Sequence, residues 1–251
     1  MKNRPDKHSV QNLKLLYVAF LVAIITLVFA VLFYQQNSLE SVVKNEQKQH
    51  LYLVRDLFRS HLITYIRYTT VLTDHGILTE YLQSFDPTLK EEVLHHFVSL
   101  AENNSDFDQI RLFNLEGDEL FRINTRNDQI SIVPENQLQN KKDRYYFSET
   151  LSLSEGEVYI SNFDLNVEHG YVELPQRPTL RLSTPIFFDG KKIGIVVINV
   201  DGQSLINVLS KSESENISVY LANDEGYWLK HKDRSAEWVF MFEGDTKKKT
   251  L

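Results

Sequence analysis

The chain has 251 residues, 42% of them hydrophobic and 24% charged, and a formal net charge of −7. This acidic balance argues against a nucleic-acid surface, which requires clustered cations. The absence of cysteine excludes disulfides, thiol nucleophiles and thiolate metal sites.

The segment from Leu15 to Tyr34 contains no charged residue, no proline and no glycine. A helix of this length spans about 30 Å, the thickness of the hydrocarbon core of a bilayer. A cleaved signal peptide is one alternative, but the segment ends in large residues where a cleavage site needs small ones. A buried helix of a soluble protein is disfavoured, because the segment is apolar on every face. We therefore expect a transmembrane helix over residues 13–35.

The residues that precede this segment are mostly basic: four cations stand against one acid (Lys2, Arg4, Lys7 and Lys14 against Asp6). The positive-inside rule then predicts a cytoplasmic N-terminus over residues 1–12 and an extracytoplasmic domain from residue 36 onward. The expected location is the inner membrane, crossed once, with the following domain in the periplasm.

A helical layer is predicted over residues 36–105. No glycine or proline occurs from Gln36 to Asp74, which predicts one long stalk helix with an apolar stripe at helical spacing (Leu51, Val54, Phe58, Leu62, Tyr65 and Leu72). A second helix is expected over residues 77–85, and a third begins at Asp86 with proline in its first turn. The lower stalk, near Val42 and Val43, is a candidate contact of a parallel homodimer.

Over residues 106–203, the spacing of apolar residues changes to the alternation that is typical of β-strands. Residues 109–113 and 119–124 alternate polar and apolar side chains and form a predicted hairpin. A short helix is expected over 141–153 and strands over 157–161, 179–187 and 192–200, the last a buried central strand. The Asp189-Gly190 pair predicts a tight turn. Residues 162–178 form a long polar loop of the kind that often covers a functional site.

The predicted structure after residue 203 consists of a connecting helix over 204–209 and a second strand–turn–strand unit. The phrase VYLANDEGYWLKH resembles the earlier RLFNLEGDELFRI and indicates an internal repeat. Residues 204–251 are too few to close a second sheet, so we expect an incomplete second module. The predicted fold class is α+β.

The order of these elements and the phrases DRYYF, STPIF and GIVVINVD resemble the double Cache (PAS-like) extracytoplasmic sensor domains of bacterial histidine kinases and diguanylate cyclases. The resemblance implies a membrane-distal module that binds a small ligand and a membrane-proximal module that relays the signal. Neither a kinase nor a cyclase signature is present, so we expect a sensor without its output domain, as a truncated receptor would have.

Site residues follow from the same resemblance. Amino-acid-binding relatives carry Arg-x-aromatic-aromatic, here Arg144, Tyr146 and Phe147, in which the arginine holds a carboxylate. A surface ion pair is the alternative for Arg144, and sheet packing is the alternative for Tyr159, a second expected pocket residue.

The central strand ends in Asn199, where the relatives carry an aspartate for the ligand's amino group. Asparagine lacks that charge, which argues against a free amino acid and leaves a carboxylate or another small polar metabolite as the ligand. Asp201 is a further candidate, with helix capping as its alternative, and Arg126 adds positive charge near the same face.

No catalytic motif and no metal-binding spacing is recognisable, so we predict neither an enzyme nor a bound cofactor. The leading hypothesis is a small-molecule sensor. A partner-binding anchor that acts through a full-length kinase or cyclase is the alternative, and a periplasmic hydrolase is the weakest hypothesis.

Overall fold

The computed structural model describes residues 7–126, 129–168, 170–214 and 217–242. The helices are α1 (Lys7–Thr73), α2 (Gly76–Ser84), α3 (Pro87–Glu102), α4 (Tyr145–Ser152) and α5 (Gly202–Lys211). The strands are β1 (Phe107–Phe113), β2 (Glu119–Arg126), β3 (Gln129–Ile132), β4 (Tyr159–Ile160), β5 (Asp164–Leu165), β6 (Val167–Glu168), β7 (Tyr171–Val172), β8 (Pro178–Phe188), β9 (Lys191–Asp201), β10 (Leu221–Ala222) and β11 (Trp228–Lys230). The chain divides into two compact units, one ending at Leu53 and the other beginning at Val54.

The first unit contains the part of α1 that is long and apolar enough to cross a membrane. All side chains of residues 15–34 are exposed, as expected of a surface that lipid covers. The hydroxyl of Thr26 donates to the carbonyl oxygens of Val22 (3.0 Å) and Ala23 (2.9 Å), so it is satisfied within the helix. These features support the predicted transmembrane segment.

The second unit begins with the end of α1, which packs on the sheet together with α2 and α3. Val54, Tyr65 and Leu72 of the predicted apolar stripe are buried, whereas Leu51 is 59% exposed. The stripe therefore begins at Val54. The start of α3 follows the sequence prediction, because Asp86 caps the helix by accepting a hydrogen bond from the Thr88 amide at 2.7 Å.

The main sheet is antiparallel, with strand order β3-β2-β1-β9-β8-β4 and β5 paired to β8. Strand β9 lies in the middle, and its residues 194–200 are all buried, as its apolar sequence predicts. One face of the sheet packs on the helices, where Phe97 of α3 meets Phe121 of β2 edge to face at 5.0 Å. The predicted α+β class with an antiparallel sheet module is confirmed.

Three tight turns have the geometry that their sequences predict. Asp189 and Gly190 both take positive φ (49° and 72°) and join β8 directly to β9. The repeated phrase forms the same turn twice: the Gly117 amide donates to the carbonyl oxygen of Asn114 (3.3 Å), and the Gly226 amide donates to that of Asn223 (3.0 Å).

The structure differs from the prediction in several segments. Helix α4 begins at Tyr145 and not at residue 141, because the amide of Lys141 donates to the carbonyl oxygen of Gly117 (2.8 Å) and holds this stretch in a turn. The predicted loop 162–178 contains the short strands β5, β6 and β7, and the first strand of the second predicted strand–turn–strand unit is only the two-residue β10.

Strands β10 and β11 form a two-stranded sheet whose Leu229 packs with Trp238 against Ile206 of α5 and Leu165 of β5. This small second core includes residues of α5 and β5, and its side chains are buried by sharing that surface.

Candidate functional site

The face of the sheet opposite the helices is polar and buried. The backbone register aligns one residue from each of four strands in a single row: Asn124 on β2, Gln109 on β1, Asn199 on β9 and Arg181 on β8. The next row contains Arg122, Arg111, Val197 and Ser183. Because side chains alternate along a strand, both rows project from this face. We call the eight residues of the two rows the polar floor.

Hydrogen bonds join the centre of the polar floor. Asn199 Nδ2 donates to Gln109 Oε1 at 2.9 Å, and the Arg111 guanidinium donates to the same oxygen. Glu119 lies between two arginines, with its carboxylate 3.5 Å from Arg111 Nη1 and 3.3 Å from Arg122 Nη1. The floor is therefore a connected network with two adjacent guanidinium groups on one side.

Arg181 stands at the other side of the floor and is only 2% exposed. Its guanidinium donates to Asp164 Oδ1 at 2.6 Å and to Asn166 Oδ1 at 3.2 Å, and it lies 5.6 Å from the ring centroid of Tyr146. Burial alone would lower the pKa of Arg181, but the Asp164 carboxylate, together with Tyr145 and Tyr146, outweighs burial and raises that pKa. Arg181 is thus a charged group held in the interior by one carboxylate.

A segment that crosses over the floor supplies the opposing carboxylates. We call it the cover segment; its described residues are 164–168 and 170–173. Glu168 Oε1 lies 3.3 Å from Arg111 Nη2, and Glu168 Oε2 lies 3.8 Å from Lys141 Nζ. Burial would raise the pKa of Glu168, but Arg111 and then Lys141 outweigh it, and the pKa is lowered. Arg111 and Arg181 of the floor, and Lys141 beside it, therefore each face an acid of the cover segment.

Four buried polar atoms of the floor have no hydrogen-bond partner in the part of the chain that the structure describes: Arg111 Nε, Arg122 Nε, Asn124 Oδ1 and Asn199 Oδ1. Buried polar groups are ordinarily paired, since leaving one unpaired costs about 1–3 kcal/mol. Two of these atoms are donors on cations and two are amide acceptors. They mark the floor as a surface that can hold a small polar molecule.

Among the described residues, four buried cations (Arg111, Arg122, Lys141 and Arg181) lie close together, and the carboxylates of Glu119, Asp164 and Glu168 contact them. The pKa of Lys141 is lowered, first by burial and then by Arg111, with a smaller contribution from Arg144. An added anion would relieve this repulsion among the cations.

Aromatic side chains of α4 close one end of the site. Tyr146 and Phe147 are buried, and Phe147 packs edge to face on Phe113 with ring centroids 6.0 Å apart. Tyr145 Oη donates to Asp164 Oδ2 at 2.9 Å; burial first, and Asp164 second, raise the pKa of Tyr145 to about 12. Helix α4 thereby fixes both an apolar wall and the position of Asp164.

The structure brings several of the residues predicted from the sequence to this site. Tyr146 touches Arg181, and Asn199 lies in the floor. Arg144 is the half-buried N-cap residue of α4, and its positive charge helps to lower the pKa of Lys141. Phe147 and Tyr159 pack in the adjoining apolar cluster. Their roles toward a ligand remain predictions.

The two other predicted residues lie at the edges of the sheet. The side chain of Arg126 is 48% exposed and pairs with Glu173 of the cover segment at 2.8 Å. Asp201 caps α5 by accepting from the Gln203 amide at 3.0 Å, the alternative that its sequence position left open.

Gln109, Arg111 and Glu119 were not predicted as site residues. Gln109 and Arg111 are polar side chains of an alternating strand, and alternation alone predicts that such side chains face solvent. Their burial depends on the cover segment and on α4, which lie far away in the sequence.

Within the described ranges, no group of three or more His, Cys, Asp or Glu side chains is arranged to hold a metal ion. The floor instead combines amides and guanidinium groups, and the carboxylates of Glu119, Asp164 and Glu168 contact it. This set of groups suits the binding of a small polar or anionic molecule.

Comparisons with known proteins place this chain in a family. The family model described as bacterial histidine kinase, sensor domain, matches residues 40–249. No curated protein sequence gives a significant match.

Solved structures share the fold. A domain of a sensory box/GGDEF family protein from Vibrio parahaemolyticus superposes with a TM-score of 0.71 at 20% identity, covering 80% of this chain and 76% of that one. The extracellular domain of the histidine kinase vpHK1S-Z8 gives 0.71 at 20% identity, with 82% and 75% covered. The ligand-binding domain of the Campylobacter jejuni chemoreceptor Tlp3, solved with 4-methylisoleucine, gives 0.59 at 14% identity, with 78% and 71% covered.

Proposed function

Because the chain belongs to the family of bacterial histidine kinase sensor domains, we propose that it is the small-molecule sensor of a membrane-anchored receptor. The N-terminus lies in the cytoplasm, the apolar part of α1 crosses the inner membrane, and the second unit faces the periplasm. The ligand binds on the polar floor of the membrane-distal, PAS-like module, beneath the cover segment.

The observation that carries this proposal is the set of unpartnered buried atoms on the floor. The Nε atoms of Arg111 and Arg122 are donors on cations, which a carboxylate satisfies better than a neutral acceptor does. The amide oxygen of Asn199 requires a donor, such as a hydroxyl or an amine. A small carboxylate with a hydrogen-bond donor meets both demands.

The fold neighbours support a ligand of this size. Their names record chemoreceptor ligand-binding domains in complex with 4-methylisoleucine and with L-valine, at TM-scores of 0.59 and 0.54. Each of these compounds carries a carboxylate and an amine. We propose Arg111, Arg181, Tyr146 and Asn199 as contacts, with Arg144 adding positive charge at the margin.

We assign no catalytic role to the chain. The bound state is passed to a kinase or cyclase output. Val42 and Val43 are each about half exposed in the single chain, and we propose that they contact a second copy in a parallel homodimer.

Direct binding tests the proposal. The full chain in lipid nanodiscs is titrated with a panel of amino acids, hydroxy acids and dicarboxylates by calorimetry. We expect at least one compound to bind, and Arg111→Gln to weaken that binding about tenfold or more through the loss of a charge-assisted contact.

Arg67→Gln is the matched control, because this arginine is exposed on α1, which packs on the opposite face of the sheet. Its affinity should equal that of the wild type. If no compound of the panel binds, or if Arg111→Gln and Arg67→Gln behave alike, the polar floor is not the ligand site.

A further inference from the structure

A second cleft lies apart from the polar floor, between helix α5 and the hairpin of β10 and β11. Its volume is about 330 Å³, at the lower end of the range for sites that bind small molecules. We call this space the α5 cleft. One wall is the face of α5 that carries Gln203, Asn207 and Ser210, which follow one another at helical spacing. This wall therefore offers amides and a hydroxyl but no charge.

The opposite wall of the α5 cleft carries three cations, Lys230, Lys232 and Arg234. Lys230 is 9% exposed, and its Nζ donates to Glu213 Oε1 at 2.6 Å and to the carbonyl oxygen of Val219 at 2.9 Å. Lys232 and Arg234 are exposed, and neither forms an ion pair with a residue that the structure describes. The wall thus has one cation held in a fixed position and two cations whose charge is not neutralised.

The carboxylates around the α5 cleft already have partners. Glu213 accepts from the buried lysine ammonium at 2.6 Å, and Glu237 Oε1 accepts from the amide of His231 at 2.8 Å. A third nearby acid, Asp233, accepts from the amide of Ser235 at 3.0 Å and is not part of the cleft lining. Cations therefore outnumber carboxylates along the cleft, although the whole chain has a net charge of −7.

We propose that the α5 cleft is a second ligand site, separate from the polar floor, and that it binds a small organic phosphate. A phosphate group presents three strong acceptor oxygens around one atom, so it accepts from several separate cations at once. A carboxylate has two oxygens in one plane and is matched better by the fork of a single arginine. Lys230, Lys232 and Arg234 bind the phosphate of the ligand.

His231 adds a hydrogen-bond donor to the cationic wall. The amide of Asp233 donates to His231 Nδ1 at 3.0 Å, so the neutral ring carries its proton on Nε2. The ring packs against Tyr220, which also lines the cleft, with centroids 5.1 Å apart, and against Trp228 at 4.9 Å. The wall therefore combines three cations with a neutral donor whose ring is held in place.

The α5 wall suits a hydroxylated body of the ligand. Gln203 Nε2 donates to Asn207 Oδ1 at 3.0 Å, which leaves Gln203 Oε1 as an acceptor and Asn207 Nδ2 as a donor for a ligand. A hydroxyl group both donates and accepts, so it pairs with either amide. Together with the small volume of the cleft, these groups favour the phosphate of a short polyol.

The two tryptophans of the chain make the test direct, because both belong to this region and Trp238 lines the cleft. The full chain in a non-ionic detergent and a phosphate-free buffer is titrated with glycerol 3-phosphate, with glycerate and with glycerol. Tryptophan fluorescence and calorimetry follow each titration. We expect glycerol 3-phosphate to bind about tenfold or more tightly than glycerate, since it makes one more charge-assisted contact, and glycerol to show no binding.

Two single variants test the cationic wall. Arg234→Gln and Lys232→Gln should each weaken the binding of glycerol 3-phosphate about tenfold, through the loss of a charged contact at an exposed position that the fold does not require. Lys191→Gln is the matched control, because it removes an exposed charge at the start of β9, whereas α5 follows the end of that strand. Its affinity should equal that of the wild type.

The outcomes separate this proposal from the sensor proposal. If Arg234→Gln and Lys191→Gln bind glycerol 3-phosphate alike, the α5 cleft is not its site. Loss of binding in Arg111→Gln would place the phosphate on the polar floor and also overturn the proposal. Equal or tighter binding of glycerate would overturn the phosphate class. If neither fluorescence nor calorimetry detects glycerol 3-phosphate, the second site is wrong, while the sensor proposal stands on its own titration.

Discussion

Replacing Asp164 by Asn should destabilise the second unit strongly, although only one oxygen is exchanged for an NH2 group. Arg181 is 2% exposed, and its charge is held by the carboxylate of Asp164 at 2.6 Å. Asn166 offers Arg181 a longer and uncharged contact at 3.2 Å. The variant therefore leaves a buried guanidinium without its counter-charge.

The magnitude follows from the burial of the pair. Removing one partner of a buried ion pair costs about 3–5 kcal/mol, and we expect about 3 kcal/mol because the amide oxygen still accepts one hydrogen bond. For a unit of this size, that loss lowers the melting temperature by roughly 6–12 °C.

The assay is thermal unfolding of the ligand-free full chain in detergent, followed by tryptophan fluorescence. Trp238 suits this purpose, because its ring packs on Phe163, next to Asp164, with centroids 5.4 Å apart. Asp143→Asn, at an exposed position before α4, is the matched control and should shift the midpoint very little.

A double-mutant cycle isolates the pair. Arg181→Met combined with Asp164→Asn should cost less than the sum of the single variants, since the double variant leaves no buried charge unpaired. A midpoint for Asp164→Asn within about 2 °C of the wild type would refute the reasoning, because the predicted loss corresponds to a larger shift.

Three further predictions concern the same unit. Gly117→Ala should destabilise the unit by about 1–3 kcal/mol, because Gly117 has φ +90° and an added Cβ would lie 2.7 Å from the backbone nitrogen of Lys142. Thermal unfolding measures this loss, and an unchanged melting temperature would contradict the prediction. The pKa of Glu168 is lowered in the folded state, so its stabilising contribution is present above its ordinary pKa and is lost as the pH falls through the folded pKa. The difference in melting temperature between the wild type and Glu168→Gln should therefore shrink as the medium is acidified. A difference that does not change with pH would be inconsistent with the lowered pKa. Burial raises the pKa of Asp108 to about 6 despite its ion pair with Arg177, so the folded state binds more protons than the unfolded state and stability falls as the pH rises from about 4 to about 6. In Asp108→Asn, the melting temperature should depend less on pH over this range. If the slope of melting temperature against pH is unaltered in the variant, Asp108 is not its source.

The sequence predicted the features that depend on neighbouring residues along the chain. The uncharged run from Leu15 to Tyr34, the capped start of α3 at Asp86 and the Asp189-Gly190 turn each follow from local chemistry. The order of helices and strands was predictable for the same reason, because the spacing of apolar residues that identifies each element lies within one short stretch of sequence.

The candidate site was only partly predictable. Asn199 and Tyr146 were selected through a family resemblance, and the structure places both at the floor. Arg111 was not selected, because an alternating strand assigns its polar half to solvent unless something covers it. The cover segment was predicted only as a polar loop, without its strands or its partners.

The sequence by itself determined the apolar helix that is long enough to cross a membrane, the helical layer and the strands, since these follow from hydrophobicity, periodicity and turn residues read along the chain. Only the tertiary structure decided that the polar side of the sheet is an interior surface. Gln109 and Asn199 are ninety residues apart, yet β1 pairs with β9 and joins them at 2.9 Å. Which strands become neighbours, and which acid faces which arginine, depends on the packing of the whole unit, and no local pattern contains that information.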